Sequence, residues 1–404
     1  MRIRTGRLAA RLTLLTAATT STLCAIAGVA VAGPAVSRTG VILDAGSADA
    51  IANSYIVVLK PGETGVGSAS QKLISRYGGQ VATTYTAAVR GFHATMAAGQ
   101  AAHLAADPSV QYVVQDATVG AADQPTPTWG LDRLDQRSLP LSKSYSAPSA
   151  AGVTAYVIDS GIRISHKEFG GRARSGWDFV DDDANADDCK GHGTHVAGTI
   201  GGATFGVARD VKLVSVRVLD CNGSGSYSSI LGGIDWVTAH AVKPAVANMS
   251  LGGPVNKAID DAVSRSIAKG ITYAVAAGND SRDACKQSPA HASAAITVGA
   301  TDQKDARGSF SNYGSCLDIF APGVRILSAS NSSNTASMTM SGTSMASPHV
   351  AGAAALVLAA HPGWTPAQVR DDLVGRADAG LVTNPGQGSP NKLLFTGYLT
   401  TGSR

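Results

Sequence analysis

From residue 150 onward the chain alternates short apolar runs with amphipathic stretches: "VTAYVID", "HGTHVAGTI", "VKLVSVRVL", "YSSILGGIDWVTAHA", "AVANMSL", "VNKAIDDAVSRSIAKG", "ITYAVAAGN" and "AAITVGA". The short runs rich in Val, Ile and Ala read as buried strands, and the longer ones as helices that cross between them. Few architectures accommodate this order. It predicts an α/β fold, a parallel sheet with helices on both faces. In such sheets functional side chains gather at the carboxyl ends of the strands.

Three residues meet that criterion. Asp159 closes "AYVID" and is followed by the turn formers Ser160 and Gly161. His192 opens "GHGTHVAGTI", a helix start in which Gly191, Gly193, Ala197 and Gly198 permit close packing on the sheet. Ser344, in "SGTSMASPHVAG", begins an alanine-rich helix, where unpaired backbone amides and the helix dipole favour developing negative charge. His349 lies five residues beyond Ser344, about 140° round the helix, and cannot be its base. A serine hydroxyl becomes a nucleophile when an imidazole takes its proton, and the imidazole needs a carboxylate to hold its tautomer. Asp159, His192 and Ser344 supply that set.

Other chemistries fit less well. "GTSMA" is close to the Gly-x-Ser-x-Gly elbow of esterases, but in those enzymes the acid and then the histidine follow the serine. Beyond Ser344 the histidines are His349 and His361, and neither follows an aspartate downstream of the serine. His192 and His195 form a His-x-x-His pair without the glutamate of a zinc helix. His349 reads as packed within its helix, and His166, His240 and His361 have no motif around them.

The first part of the chain is organised differently. Arg2, Arg4, Arg7 and Arg11 precede an Ala/Leu/Val/Thr stretch ending in "AVAG", which reads as a secretory signal over residues 1–32 cut near Ala32. Setting those four arginines aside, the 33 Lys and Arg fall to 29 against 29 Asp and Glu, so the remainder has no electrostatic footprint for nucleic acid or an anionic membrane. Residues 54 to 119 read as a small α+β unit: a strand "SYIVVLK", a helix near "ASQKLISRYG", a second strand around "VATTYTAAVRGFHATM", a helix near "AGQAAHLAAD" and a final strand "VQYVVQD". "VGAADQPTPTWG" then has the composition of an exposed, cleavable linker. Four cysteines remain after signal removal, Cys189, Cys221, Cys285 and Cys316, which in an exported chain predicts two disulfides with three pairings open.

"VIDSGI", "GHGTHVAGTIGG", "NMSLGG", "AAGND" and "SGTSMASPHVAG" together resemble the signature blocks of subtilisin-like serine proteases, in particular the proteinase K and aqualysin-like subgroup. The resemblance runs from about Trp129 to residue 395 and shares the Asp-His-Ser order of those enzymes. It implies a peptidase domain over residues 122–404, preceded by an inhibitory propeptide over 54–121. It gives Asp159, His192 and Ser344 the triad roles and makes Asn279 the side-chain oxyanion donor, beside the backbone N–H of Ser344. Ser250, Leu251 and Gly252 would form one wall of the first specificity pocket, with Gly223, Ser224, Gly225 and Tyr227 as the opposite strand of the cleft. The implied product is a secreted, self-processed, monomeric endopeptidase preferring apolar and aromatic residues, with its own propeptide as chaperone and inhibitor. The alternative is a protease-like binding protein that retains its propeptide.

The resemblance also implies structural Ca²⁺. Asp318 with the carbonyls of Ser293 and Ala295 would make one site, Asp178 and Asp183 a second. A third, at Asp132, Asp135 and Gln136, meets Ser142 and Ser144 where further oxygen donors are expected, which argues against it. The run "DDDANADD" has a competing explanation as plain solvated acidity. The disulfides implied are Cys189 to Cys221 and Cys285 to Cys316.

Overall fold

The computed structural model describes residues 39–47, 50–62, 65–120 and 129–401. The signal segment 1–32 and residues 121–128 of the linker lie outside the described residues.

A first sheet is built from β1 (Ile42–Leu43), β2 (Ala50–Leu59), β3 (Gln80–Tyr85), β4 (Gly91–Thr95) and β5 (Val110–Gly120), in the order β1-β5-β2-β4-β3. Successive side chains of a strand point to opposite faces, and both faces of this sheet are apolar. Tyr55 and Val57 of β2 pack with Phe92 and Val113 beneath α1 (Val66–Tyr77) and α2 (Ala98–Ala105), which contribute Leu73, Ala101 and Leu104. Ile56 and Val58, with Val114, point the other way and join the core of the larger sheet. The sheet starts upstream of the expected boundary at residue 54, because Ile42 and Leu43 pair in parallel with Val113 and Val114. The single strand expected across "VATTYTAAVRGFHATM" is corrected to two: β3 and β4 form an antiparallel hairpin turning at residues 86–90.

Beyond α3 (Gly130–Leu134) come β6 (Thr154–Asp159), β7 (Ala173–Asp178), α4 (His192–Gly201), β8 (Lys212–Arg217), β9 (Ser224–Ser226), α5 (Tyr227–His240), β10 (Ala245–Met249), β11 (Gly253–Pro254), α6 (Lys257–Ala268) and β12 (Thr272–Ala276). Then follow β13 (Gln287–Ser288), β14 (Ile296–Thr301), β15 (Ile319–Pro322), β16 (Ile326–Ala329), β17 (Ser337–Met340), α7 (Thr343–Ala360), α8 (Pro366–Arg376), β18 (Asp378–Ala379) and β19 (Lys392–Leu393). Among the described residues the main sheet runs β18-β19-β15-β14-β12-β10-β6-β8-β7, parallel except for the antiparallel edge pair β18–β19.

The expected covering of both faces is visible within one strand. Ala155 and Val157 of β6 pack toward α4 and α7, whereas Tyr156 and Ile158 pack toward α5 and α6. Helix α7 is long and apolar enough to cross a membrane by length and composition, yet 89% of it is buried, so its all-round apolarity is that of a central core helix. Both expected disulfides are present, Cys189–Cys221 and Cys285–Cys316.

Candidate active site

Asp159 and His192 reach one another from separate elements. Asp159 is the last residue of β6 and His192 the first of α4, and His192 Nδ1 donates to Asp159 Oδ1 at 2.7 Å with both side chains fully buried. Glycine makes the approach possible. A Cβ on Gly193 would collide with the Gly161 carbonyl and crowd Asp159 Cβ, and Gly191 takes a left-handed φ of 96° at the helix start.

Ser344 comes to the same edge through β10, the strand beside β6. Asn248 is level with Val157, so Ser250, two residues on, is level with Asp159. Ser344 Oγ donates to the Ser250 carbonyl at 3.1 Å, and Ser250 Oγ donates to the Ser344 carbonyl at 2.7 Å. The N-terminus of α7 is therefore fastened to the end of β10. Asn279 sits just beyond β12, the next strand. Its Oδ1 accepts from the N–H of Thr343 at 2.8 Å and from Thr343 Oγ1 at 3.0 Å, leaving its Nδ2 hydrogens to serve an acceptor outside that pair. Two donors, Asn279 Nδ2 and the Ser344 N–H, thus belong to one hydrogen-bonded corner at the start of a helix, where negative charge is favoured.

The bystander histidines are structural. His195 bonds the Ile326 carbonyl through Nε2 at 2.9 Å, and burial lowers its pKa to about 3. His349 donates from Nδ1 to the Met345 carbonyl at 2.7 Å, with burial lowering its pKa to about 4. Both are neutral at ordinary pH, and the described residues hold no group of three or more metal-ligating side chains.

One of the expected cleft strands, β9, is paired with β5. Residues 118, 119 and 120 of β5 pair antiparallel with Ser226, Gly225 and Ser224 of β9, so the end of the first unit lies as an added strand against the residues expected to bind substrate. On the other side, Leu251 is buried, and Tyr227 donates from its hydroxyl to the Pro254 carbonyl of β11 at 3.1 Å. Gly223 sits in the turn before β9 with a φ of 83°. Gly252 lies between Leu251 and β11.

Sequence reasoning missed how the first unit is held. The turn between β3 and β4 points three backbone N–H groups, those of Thr86, Ala87 and Ala88, at the carboxylate of Asp235 on α5 at 3.2, 2.7 and 2.5 Å. Buried Asp116 of β5 accepts from Ser54 Oγ and from the N–H and Oγ of Ser228 at the start of α5. Tyr112 donates to Asp261 of α6 at 2.6 Å. The hint in the sequence was Asp235, the one acidic residue of α5, whereas Asp261 lies on a helix that also carries Lys257, Asp260 and Arg265.

Two of the positions expected to bind calcium hold arginine. Arg370 donates from Nε to Asp318 Oδ1 at 2.9 Å, from Nη2 to the same oxygen, and from Nη1 to the Ser293 carbonyl at 3.3 Å; Asp318 Oδ2 accepts the Thr297 N–H. Burial raises the Asp318 pKa, with the Thr297 amide and Arg370 opposing it. The guanidinium bridges the Asp318 carboxylate and the Ser293 carbonyl, and Ala295 follows in the same loop. The set fits Ca²⁺ if Arg370 leaves. The pair Asp178 and Asp183 fits poorly. Asp178 commits Oδ1 to the N–H groups of Val180 and Asp181 and Oδ2 to Arg217 at 2.5 Å, while Asp183 Oδ1 accepts the Asn185 N–H. At the third position, Asp132 accepts from Ser142 and from the Lys143 N–H, Gln136 Oε1 from the Ser142 N–H, and Asp135 from the Ser146 N–H, so loop groups take the place of a metal.

Residues 144–394 match the model of the subtilase family, more than half the chain. The chain belongs to the subtilase family. Residues 54–122 match the peptidase inhibitor I9 family, the unit seen here docked across β9, α5 and α6. Among relatives, an extracellular serine proteinase of Thermus sp. (strain Rt41A) is 53% identical over 345 residues, covering 84% of each chain. An alkaline serine exoprotease A of Vibrio alginolyticus is 48% identical over 365 residues, covering 86% of this chain and 68% of its own. The crystal structure of a cold-adapted subtilisin-like serine proteinase is 53% identical with a TM-score of 0.65, covering 67% of this chain and 98% of that one. This subtilase therefore carries its inhibitor unit and its catalytic fold in one polypeptide.

Proposed function

We propose that this subtilase is a secreted endopeptidase that cleaves peptide bonds with Ser344 as nucleophile, His192 as general base and Asp159 as the carboxylate that holds it. The observation that carries the reading is the buried 2.7 Å Asp159–His192 pair at the sheet edge where the Ser250 carbonyl and hydroxyl fix Ser344. Ser344 Oγ adds to the scissile carbonyl as its proton passes to His192 Nε2, and Asp159 stabilises the imidazolium. Asn279 Nδ2 and the Ser344 N–H receive the oxyanion, a contribution of the order of 10²–10³ in turnover for one such donor. The imidazolium then protonates the leaving amine, and water repeats the sequence on the acyl-enzyme.

The β5–β9 pairing supports processing in cis, because the chain leaves β5 alongside the cleft and enters the linker at residue 121. A pocket walled by Leu251 and glycines gives an apolar side chain about 1.5–3 kcal/mol on burial and offers a cation no partner. This supports cleavage after Phe or Leu in preference to Arg. Structural Ca²⁺, as is typical of the subtilisin-like fold, would be held by Asp318, Ser293 and Ala295 and would supply rigidity.

Ser344→Ala tests the reading. It should accumulate as uncut precursor and lose labelling by a fluorophosphonate, while the parent matures and prefers Phe over Arg at the cleaved bond. Normal processing of Ser344→Ala in a host lacking other proteases would overturn it.

A further inference from the structure

The acidic run ahead of α4 ends in a residue that is not solvated. Asp188 is 7% exposed and its carboxylate accepts five hydrogen bonds. Oδ1 takes Ser160 Oγ at 3.0 Å, the Lys190 N–H at 2.9 Å and the Gly191 N–H at 2.7 Å; Oδ2 takes the Thr194 N–H at 2.8 Å and Thr194 Oγ1 at 2.5 Å. The donors lie on both sides of the catalytic pair. Ser160 follows Asp159, and its N–H donates to Asp159 Oδ1 at 2.7 Å. Gly191 and Thr194 bracket His192 on the first turn of α4. Ser160 Oγ also accepts the Gly193 N–H at 3.0 Å, closing the link from the other direction.

Asp159 and His192 are 33 residues apart, and no backbone ladder joins the end of β6 to the start of α4. The His192 ring has two free torsions but its Cα is fixed by the first turn of its helix. The spacing of that turn from Asp159 therefore decides whether a 2.7 Å contact forms. The N–H groups of a helix's first turn have no carbonyl partner within the helix, and Gly191 itself supplies no side-chain cap. Asp188 supplies the missing acceptor, from outside the helix, and ties it to Ser160. The arrangement is locked further by Gly161, at φ 107°, where a Cβ would press on the backbone of Asp187 and Asp188, and by Asn331 Nδ2, which donates to the Asp188 carbonyl at 3.0 Å.

We propose that Asp188 is a positioning residue for the reaction: its carboxylate clamps the first turn of α4 to the residue after Asp159 and so sets the Asp159–His192 distance. It touches neither substrate nor the reacting atoms. The proposal rests on the triad reading above. Loss of one carboxylate oxygen's acceptor capacity loosens the pair without altering the cleft, and misplacement by about 1 Å at a catalytic centre costs about 10² in rate.

The test uses enzyme secreted from the full-length precursor carrying Asp188→Asn, with Ser344→Ala prepared in parallel. The expected result is a fall in kcat of about 10²-fold with KM within about twofold of the parent, and displacement of the low-field proton resonance of His192 Nδ1. Wild-type kcat would overturn the proposal. So would an unmoved low-field resonance in a variant whose only defect is a lower melting temperature. If Asp188→Asn is not secreted, the pair Ser160→Ala and Thr194→Val removes two of the five hydrogen bonds to Asp188 while keeping its carboxylate, and a fall of about tenfold in kcat at constant KM is expected; no change would overturn it. Residual activity in Ser344→Ala would instead refute the triad assignment, which separates the two failures.

Discussion

Ser250 and Ser344 exchange hydrogen bonds, each hydroxyl donating to the other's carbonyl. The cause is Pro348, four residues into α7 from Ser344, which has no N–H to give the Ser344 carbonyl its helical partner. A buried carbonyl left without a donor costs about 1–3 kcal/mol, and the Ser250 hydroxyl meets that need. Ser250→Ala is expected to lower the melting temperature and reduce kcat by about tenfold. Adding Pro348→Ala, which restores a helical N–H, should recover most of the stability loss. Melting curves of the single and double variants decide this, and strictly additive losses would mean the two residues are uncoupled.

Asp235 holds the inhibitor unit by one carboxylate accepting three backbone N–H groups. Hydrogen bonds to a charged group contribute about 1.5–3 kcal/mol, so Asp235→Ala should weaken inhibition by added propeptide about 10- to 100-fold. Activity on a small substrate should be unchanged, because Asp235 lies on the outer part of α5. An inhibition constant equal to the parent's would remove this contact from the account.

Stability should fall in acid through the buried histidines. His349 and His195 have folded-state values near 4 and 3, below the ordinary 6.5, so the unfolded chain binds more protons in between. Their contribution is complete above about pH 6.5 and is lost as pH falls toward those values, at about 1.4 kcal/mol per pH unit for each. At pH 5 each has lost about 2 kcal/mol. Unfolding of His349→Gln, measured against the parent between pH 7 and 4, should show a shallower decline, and parallel curves would refute it.

Arg370 occupies the oxygens of Asp318 and Ser293 at which calcium is proposed to bind. Chelation should lower the melting temperature of the parent, and Arg370→Ala should enlarge the difference between calcium-loaded and chelated samples, because binding to the folded state stabilises in proportion to affinity. Equal calcium dependence in both proteins would show that the guanidinium is no competitor.

Much of this architecture is legible in the chain itself. Runs such as "TAYVID" and "AVANM" are apolar on both faces and can only be interior strands, which places Asp159 and Ser250 at strand ends. Glycines at 191, 193 and 198 announce that α4 packs closely, and the even cysteine count announces two disulfides. These are local properties: periodicity, side-chain volume and backbone freedom are carried by neighbouring residues and need no knowledge of what lies across the fold.

What only the tertiary structure decided are relationships between distant groups. The strand expected over "VATTYTAAVRGFHATM" breaks at residues 86–90 because its amides find Asp235, about 150 positions away, an attraction no window of sequence contains. The resemblance offers Asp178 as a metal ligand, but Arg217, 39 positions along the chain, takes its carboxylate. Asp188 lies in a run for which solvated acidity is one explanation, and burial instead turns its charge inward onto Ser160 and Thr194. A charge is expressed according to the dielectric around it and the partner it meets, and both are set by the packing of elements remote in the chain.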